Sequence, residues 1–342
     1  MEEREVVIVI VSYNSADLVI DCLRSIASEP PTLGIGIRAI VVDNASGDAT
    51  TISQAIAVNS WAAWVTLIES PRNGGFAYGN NLAIERAYHE RTPDYIYLLN
   101  PDTIVRPGAI SALTCFLENH PEVGIVGSSL ENLDGTDWPF AFRFPSIISE
   151  FEAGLEFGLI TRLLRRWVVP VQMPKLDQRI DWVSGASMMI RREVIDTIGG
   201  FDEGYFLYFE ETDFCLRAAR AGFSTWYVPE SRVMHAGCQS TKLTEAGLAQ
   251  KRLPAYWFES RRRYFMATHG PRYAATVDIV ALVAHLLGAC KRRLQCRNGK
   301  PYFIRDFLKY SILWPKNRRI AAVGRSVVYK PCSTNSNQKP IS

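Results

Sequence analysis

The chain opens on a run of β-branched residues, "VVIVIVSYN" (Val6–Asn14), whose continuous apolarity predicts a strand buried on both faces. "SADLVIDCLRSI" (Ser15–Ile26) follows with apolar residues at helical spacing and Ser15 placed to cap the helix. The alternation then repeats. "IRAIVVDNAS" (Ile37–Ser46) predicts a second strand, "TTISQAIAVN" a helix, and "WVTLIES" (Trp64–Ser70) a third strand. "GNNLAIERAYHE" predicts a helix, with Asn80 or Asn81 as its cap, and "DYIYLLNPDT" (Asp94–Thr103) a fourth strand running into a loop. Strands alternating with helices over short connections predict an α/β domain with a mostly parallel sheet. Ligands of such sheets bind beyond the carboxyl ends of the strands.

After this regular half, residues 138–179 are irregular and aromatic-rich, which predicts loops and short helices over the site. "DWVSGASMMIRREVIDTIGGFDE" restores a strand and a helix, with Gly199 and Gly200 stopping the helix. From about residue 246 the pattern is mainly helical, and the last dozen residues have a disordered composition. The expected division is therefore 1–245 as the α/β domain, 246–330 as a helical extension and 331–342 as a disordered tail.

Charge sharpens that division. The net charge is +3, yet residues 1–250 carry 19 Lys/Arg against 32 Asp/Glu, while residues 251–342 carry 19 Lys/Arg against three acids. An acidic body with a basic extension predicts contact with an anionic surface. "YAATVDIVALVAHLLGAC" (Tyr273–Cys290) is apolar but holds Asp278 and His285, so it reads as a packed or interfacial helix rather than a span. Arg261–Arg263 and Lys291–Arg293 are then expected near anionic headgroups. Nucleic acid ranks below membrane as the partner, because no RNA- or DNA-binding module is visible. Seven scattered cysteines without a CxxC pair argue against a disulfide framework and for a reducing cytosol. The acidic start, "MEERE", enters a strand at once, which predicts a chain without a secretory leader.

Three strands end in polar sets: "SYN" (Ser12–Asn14), "DNAS" (Asp43–Ser46) and "NPD" (Asn100–Asp102). Each acid alone reads as a turn former; their convergence on one sheet edge reads as a binding site. "PRNGGFAYGNN" (Pro71–Asn81) lacks the spacings of dinucleotide and P-loop motifs, although its glycines would let backbone approach a ligand.

"VSYN", "VVDNASGD", "NGGFAYGNN", "LLNPDT", "VSGASMMIRREV", "GGFDEGYFLYFEETDFCLRAARAG" and "VMHAG", in this order, resemble family 2 glycosyltransferases, especially the rhamnosyltransferase-like branch acting on cell-surface polysaccharides. The likeness covers roughly residues 5–240. It implies a GT-A fold: a Rossmann-like, mostly parallel central sheet flanked by helices, here with a basic helical C-terminal extension. It further implies that Ser12, Tyr13 and Asp43 hold the base and ribose of a nucleotide-sugar, and that Asn73, Gly75, Phe76 and Asn100 line the sugar-nucleotide pocket. Asn100-Pro101-Asp102 stands where relatives carry DxD, so the first acid is replaced. Asp102, with His235 of "VMHAG", would hold Mg²⁺ or Mn²⁺ on the diphosphate; an imidazole ligand favours Mn²⁺.

Family members invert the anomeric centre in one displacement, which implies a single carboxylate base for the acceptor hydroxyl. "EETD" supplies it: Glu211 as base, Glu210 as the residue orienting the acceptor, and Asp213 fixing the loop or capping a helix over Phe214–Ala221. Glu210 as the base stays open. Three acids at a helix start also complement its dipole, a reading that suits Asp213. Trp182, Ser184 and Gly185 would border donor sugar and acceptor, with Trp182 either an acceptor floor or core. The expected reaction is a single transfer, from dTDP-rhamnose or another nucleotide-hexose such as a UDP-sugar, onto a lipid-linked or polysaccharide acceptor at the cytoplasmic membrane face. The processive synthases' QxxRW motif and multiple spans are absent. A non-catalytic nucleotide-sugar-binding scaffold is the alternative that the NPD and EETD departures leave open.

Overall fold

The computed structural model describes residues 4–138, 141–171, 173, 175–236, 252–296 and 302–318. The apolar runs become the strands of one large sheet. β1 (Arg4–Ser12) is followed by α1 (Ala16–Ala27), β2 (Ile35–Asp43), α2 (Ala49–Val58), β3 (Val65–Glu69), α3 (Gly75–Glu90) and β4 (Tyr95–Leu99). The order β3-β2-β1-β4 is parallel throughout, with Ser12 opposite Asp43 at the carboxyl end. Val6–Ile10 and Tyr95–Leu99 are almost wholly excluded from water, as a doubly covered sheet requires.

The second half completes the sheet in mixed fashion. β5 (Thr103–Val105), α4 (Ala109–Asn119), β6 (Val123–Glu131), β7 (Asp137–Trp138), β8 (Ala141–Phe142), α5 (Ile147–Leu155) and α6 (Gly158–Leu163) precede β9 (Gln178–Ile180), β10 (Trp182–Val183), β11 (Ser187–Arg191) and α7 (Arg192–Ile198). α8 (Glu210–Arg220) and β12 (Ser224–His235) follow. β11 inserts antiparallel between β4 and β6, and β12 then runs parallel to β6. The longer strands other than β11 therefore share one direction, as the alternating pattern led one to expect. β5 returns antiparallel on β12 and sets Thr103 opposite His235, so the NPD turn and the end of β12 meet.

Two local expectations are corrected. α3 begins at Gly75, four residues before the expected start, so Asn80 and Asn81 lie inside the helix and cap nothing. Asn81 instead spans two segments: its side chain donates to the Phe201 carbonyl at 2.9 Å and accepts from the Phe201 N–H at 2.9 Å. Likewise α8 starts at Glu210, which puts Asp213 in its first turn rather than before a later helix.

The extension is helical where described: α9 (Ala255–His269), α10 (Pro271–Leu294) and α11 (Phe303–Tyr310). The expected boundary at 245/246 and the tail 331–342 fall outside the described residues. The placement of Arg261–Arg263 at headgroups is corrected. Arg261 and Arg263 are buried, and Arg262 donates to the Tyr310 carbonyl at 2.7 Å. Arg261 lies between Glu150 of α5 (2.7 Å) and Asp278 of α10 (2.6 Å), tying three helices together. That pairing accounts for an aspartate inside an apolar helix. α10 is the one helix among the described residues long and apolar enough to cross a membrane, with a mean hydropathy of 1.7, yet it packs along α5. The two approach so closely that a Cβ on Gly288 would fall 2.3 Å from the Gly154 carbonyl oxygen.

Asp278→Ala strips Arg261 of one of its two carboxylates inside the protein. We expect a loss of roughly 3 kcal/mol of unfolding free energy, read by chemical denaturation, with the secondary structure of the folded state unchanged.

Candidate active site

A cavity of about 300 Å³ opens beyond the carboxyl ends of β1 and β4. Its wall includes Tyr13, Asn73, Gly75, Phe76, Asn100 and Asp102 from the parallel half. His235, Ser184, Glu210 and Glu211 come from the second half. The side chains expected from widely spaced motifs thus converge on one space.

The entrance of α3 is built by backbone. Gly75 has φ +85°, and a Cβ there would lie 1.9 Å from the Phe206 carbonyl oxygen, so glycine is required both for conformation and for room. The Phe76 N–H donates to that same carbonyl at 2.9 Å, clamping the helix start against the loop before α8. Asn44, which the sequence reading passed over, organises the approach: its Nδ2 donates to Asn73 Oδ1 (3.1 Å) and to the Gly75 carbonyl (3.0 Å). Its place inside "DNAS", next to a strand end, was the available signal.

At one pole, Asp102 Oδ1 lies 3.2 Å from His235 Nε2, and Asn100 Nδ2 lies 3.4 Å from the same nitrogen. Trp138 meets the His235 ring edge-on at a centroid distance of 5.3 Å. A carboxylate and an imidazole converging at a cavity wall fit a divalent cation that also takes oxygen from a diphosphate and water. Among the described residues no cluster of three or more His, Cys, Asp or Glu forms.

At the other pole stands the glutamate pair. Tyr208 and Phe209 both have left-handed backbone (φ +71° and +69°), a conformation that costs a non-glycine residue about 1–2 kcal/mol and that swings α8 into position. Glu211 Oε1 accepts from the Gly185 N–H at 3.0 Å and lies 3.5 Å from Ser184 Oγ. Glu210 is buried, and its Oε2 has no hydrogen-bond partner among the described residues. Burial, and then the charge of Glu211, push the Glu210 carboxyl well above its ordinary range. Burial also raises Glu211, but the Gly185 N–H pulls it back. Burial thus raises both carboxyls of the pair, and Glu211 is the one that also gains a backbone N–H.

Ser12, Asp43, Trp182, Gly185 and Asp213 do not reach the cavity wall. Ser12 is fully buried and hydrogen-bonds Ser15 Oγ at 3.0 Å. Asp43 accepts from Ser46 N (3.0 Å) and Oγ (2.5 Å), and from Gly47 N and Ala49 N (both 3.2 Å), so its oxygens shape the turn into α2. Trp182 stacks on Phe142 at 4.2 Å and donates to the Arg143 carbonyl at 3.0 Å. Gly185 acts through its N–H on Glu211, from behind the wall. Asp213 pairs with Arg217 at 2.8 Å and lies 3.4 Å from the Tyr205 hydroxyl, which makes it a brace of the helix start.

A family model described as "Glycosyltransferase like family 2" matches residues 3–253. The N-acetylglucosaminyl-diphospho-decaprenol L-rhamnosyltransferase of Mycobacterium tuberculosis is 31% identical over 228 residues, covering 64% of this chain and 70% of the relative. The rhamnosyltransferase WbbL of Escherichia coli K12 is 27% identical over 164 residues, covering 47% of this chain and 60% of its own. Among solved structures, GalNAc-T7 with UDP, GalNAc and Mn²⁺ superposes with a TM-score of 0.57 at 14% identity. That match covers 90% of this chain and 57% of the other.

Because the folded-state ionisation of Glu210 lies above that of an unfolded chain, its contribution to stability is complete in acid and is lost as pH rises. Glu210→Gln is therefore expected to gain on the wild type by on the order of 1 kcal/mol at neutral pH, and the gap should narrow towards pH 4. Thermal unfolding across a pH series reads this directly.

Proposed function

The chain belongs to the glycosyltransferase-like family 2 and has the GT-A fold, and from that premise we propose that it transfers L-rhamnose from dTDP-rhamnose onto a polyprenyl-diphosphate-linked sugar, with inversion, in cell-surface polysaccharide synthesis. One observation carries the reading of the site: a single cavity with the Asp102–His235 pair on one side and, on the other, Glu211 held by the Gly185 N–H. The rhamnosyl group and the acceptor lipid are taken from what the similar rhamnosyltransferases are named for, and dTDP as carrier from the similar dTDP-rhamnosyl transferase RfbF of Shigella flexneri.

Asp102 and His235 would hold Mg²⁺ or Mn²⁺, with the donor diphosphate and water completing its shell. When bound, that cation supplies positive charge against the leaving nucleoside diphosphate. The chain's own residues do the rest. Glu211, held by the Gly185 N–H, accepts the acceptor's hydroxyl proton as its oxygen forms the bond to the anomeric carbon and the bond to the diphosphate breaks. Glu210, protonated, donates a hydrogen bond to the acceptor sugar and holds it in line. Phe206 and Tyr208 give the cavity apolar faces against which a deoxysugar packs. In a single displacement no protein nucleophile is needed.

Thermal shift with a donor panel tests the reading. dTDP-rhamnose with Mn²⁺ should raise the midpoint more than UDP-glucose or GDP-mannose, and Asp102→Asn should remove the metal-dependent increment. A shift confined to a UDP-sugar would replace the donor, and a wild type that turns over no donor would favour the nucleotide-sugar-binding scaffold. Glu211→Gln should lower turnover by about 10²–10⁴ with the donor shift retained, whereas Glu210→Gln should stay within about tenfold of wild type. The opposite ranking would transfer the base to Glu210. The acid limb of kcat/KM should lie above the ordinary glutamate range, because burial raises Glu211 and only its ionised form is active.

A further inference from the structure

A second hollow, of about 580 Å³, lies on the α6 side of the molecule, where Arg143, Arg162, Arg165 and Arg166 gather around Thr161 and Pro170 with no acidic residue in the wall. This is a basic island in a body whose first 250 residues are acid-rich. Arg162, Arg165 and Arg166 are exposed and form no ion pair among the described residues, so nothing in the fold consumes their charge. Interleaved with them, Leu159, Leu163 and Trp167 stand 71%, 77% and 40% exposed. α10 adds an outer stripe at helical spacing, Ile279, Val283, Leu286 and Leu287, each about half exposed. The end of α10 is tied to the start of α6, since Arg292 pairs with Glu156 at 2.6 Å and Lys291 sits 5.2 Å over the Phe157 ring.

We propose that this face, the arginine hollow of α6 with the outer stripe of α10, docks on a bilayer surface and takes the phosphates of anionic lipid headgroups. Alternating guanidinium groups and exposed large apolar side chains match the two layers of a membrane interface, with charge at the headgroups and hydrocarbon just beneath. Arginine also suits phosphate through its paired donors. The placement deepens the proposed function and rests on it. The carbonyl of Arg143 holds Trp182, and the strand from Trp182 runs directly into Ser184 at the wall of the active-site cavity. A lipid-borne acceptor settled on this face would arrive on the glutamate side. The interface is thus assigned to α6 and the outer α10 stripe, and not to the buried arginines of α9.

The test is flotation of the full-length protein with vesicles of phosphatidylcholine alone and of phosphatidylcholine mixed with phosphatidylglycerol. Wild type should float with the anionic vesicles and not with the neutral ones. Arg162→Gln/Arg165→Gln/Arg166→Gln should weaken that binding by roughly a hundredfold, and Leu286→Ser/Leu287→Ser should weaken it independently. Retained thermal shift with dTDP-rhamnose shows that both variants are folded, and separates this proposal from the transferase reading, which that shift tests by itself. Failure of wild type to float, or equal flotation of the arginine variant, would overturn the proposal. Calorimetric binding of inorganic pyrophosphate that the arginine variant loses, without vesicle binding by the wild type, would assign the hollow to a soluble phosphate compound, and would also overturn it.

Discussion

The buried pair between Asp202 and Arg263 is the contact on which the active-site half of the molecule depends. Both side chains are nearly excluded from water and meet in a two-pronged arrangement, with Arg263 Nε and Nη2 each 2.8 Å from a carboxylate oxygen. Such a pair contributes little net stability, because desolvation offsets attraction, but losing one partner is costly and the geometry it enforces is narrow. Asp202 begins the loop that leads to Tyr208, Phe209 and the glutamate pair, and Arg263 belongs to α9 in the extension. Ser260, three residues earlier on α9, donates to the Leu207 carbonyl at 3.0 Å. Asn81 fixes the same loop at Phe201, and the Phe206 carbonyl holds the start of α3. The extension is therefore the buttress of the catalytic loop.

That dependence explains how the loop can hold two consecutive left-handed residues. Tyr208 and Phe209 would relax to ordinary backbone if the chain on either side were free. It is not, because α9 anchors one side and the first turn of α8, braced by Asp213 and Arg217, anchors the other. The strain keeps Glu210 and Glu211 side by side in a dry corner, and the shared corner separates their proton affinities. A single glutamate on a solvated loop would keep an ordinary carboxylate pKa and remain ionised at neutral pH.

Much of this was legible in the sequence. The parallel half was readable because doubly buried strands are written as unbroken apolar runs, and its four strands ended where expected or within a few residues. The cavity residues Asn73, Phe76, Asn100, Asp102, His235, Glu210 and Glu211 were legible as strand-end and loop motifs. Asp43 and Ser12 stand outside the cavity wall, and a strand-end polar residue looks the same in sequence whether it faces a ligand or folds back on its own turn. Asn80 and Asn81 misled for a related reason: asparagine is a common helix cap, and only the tertiary contact with Phe201 keeps Asn81 mid-helix. Asn44 was missed because its role is to hold backbone, which leaves no charge or periodicity to notice.

The Arg261–Arg263 cluster was misread most instructively. Net charge by segment treats every arginine as available, yet burial sorts them. Arg261 and Arg263 are spent on Glu150, Asp278 and Asp202, so part of the positive excess neutralises the acidic body from within. The arginines left uncommitted at α6 come from the acid-rich part of the chain, where the overall count conceals them. Electrostatic reach outward depends on which charges lack an internal partner, and that is decided by packing. A surface for an anionic partner is therefore sought by subtracting the paired charges first, and Arg162, Arg165 and Arg166, near the exposed Leu159, Leu163 and Trp167, are among those that remain.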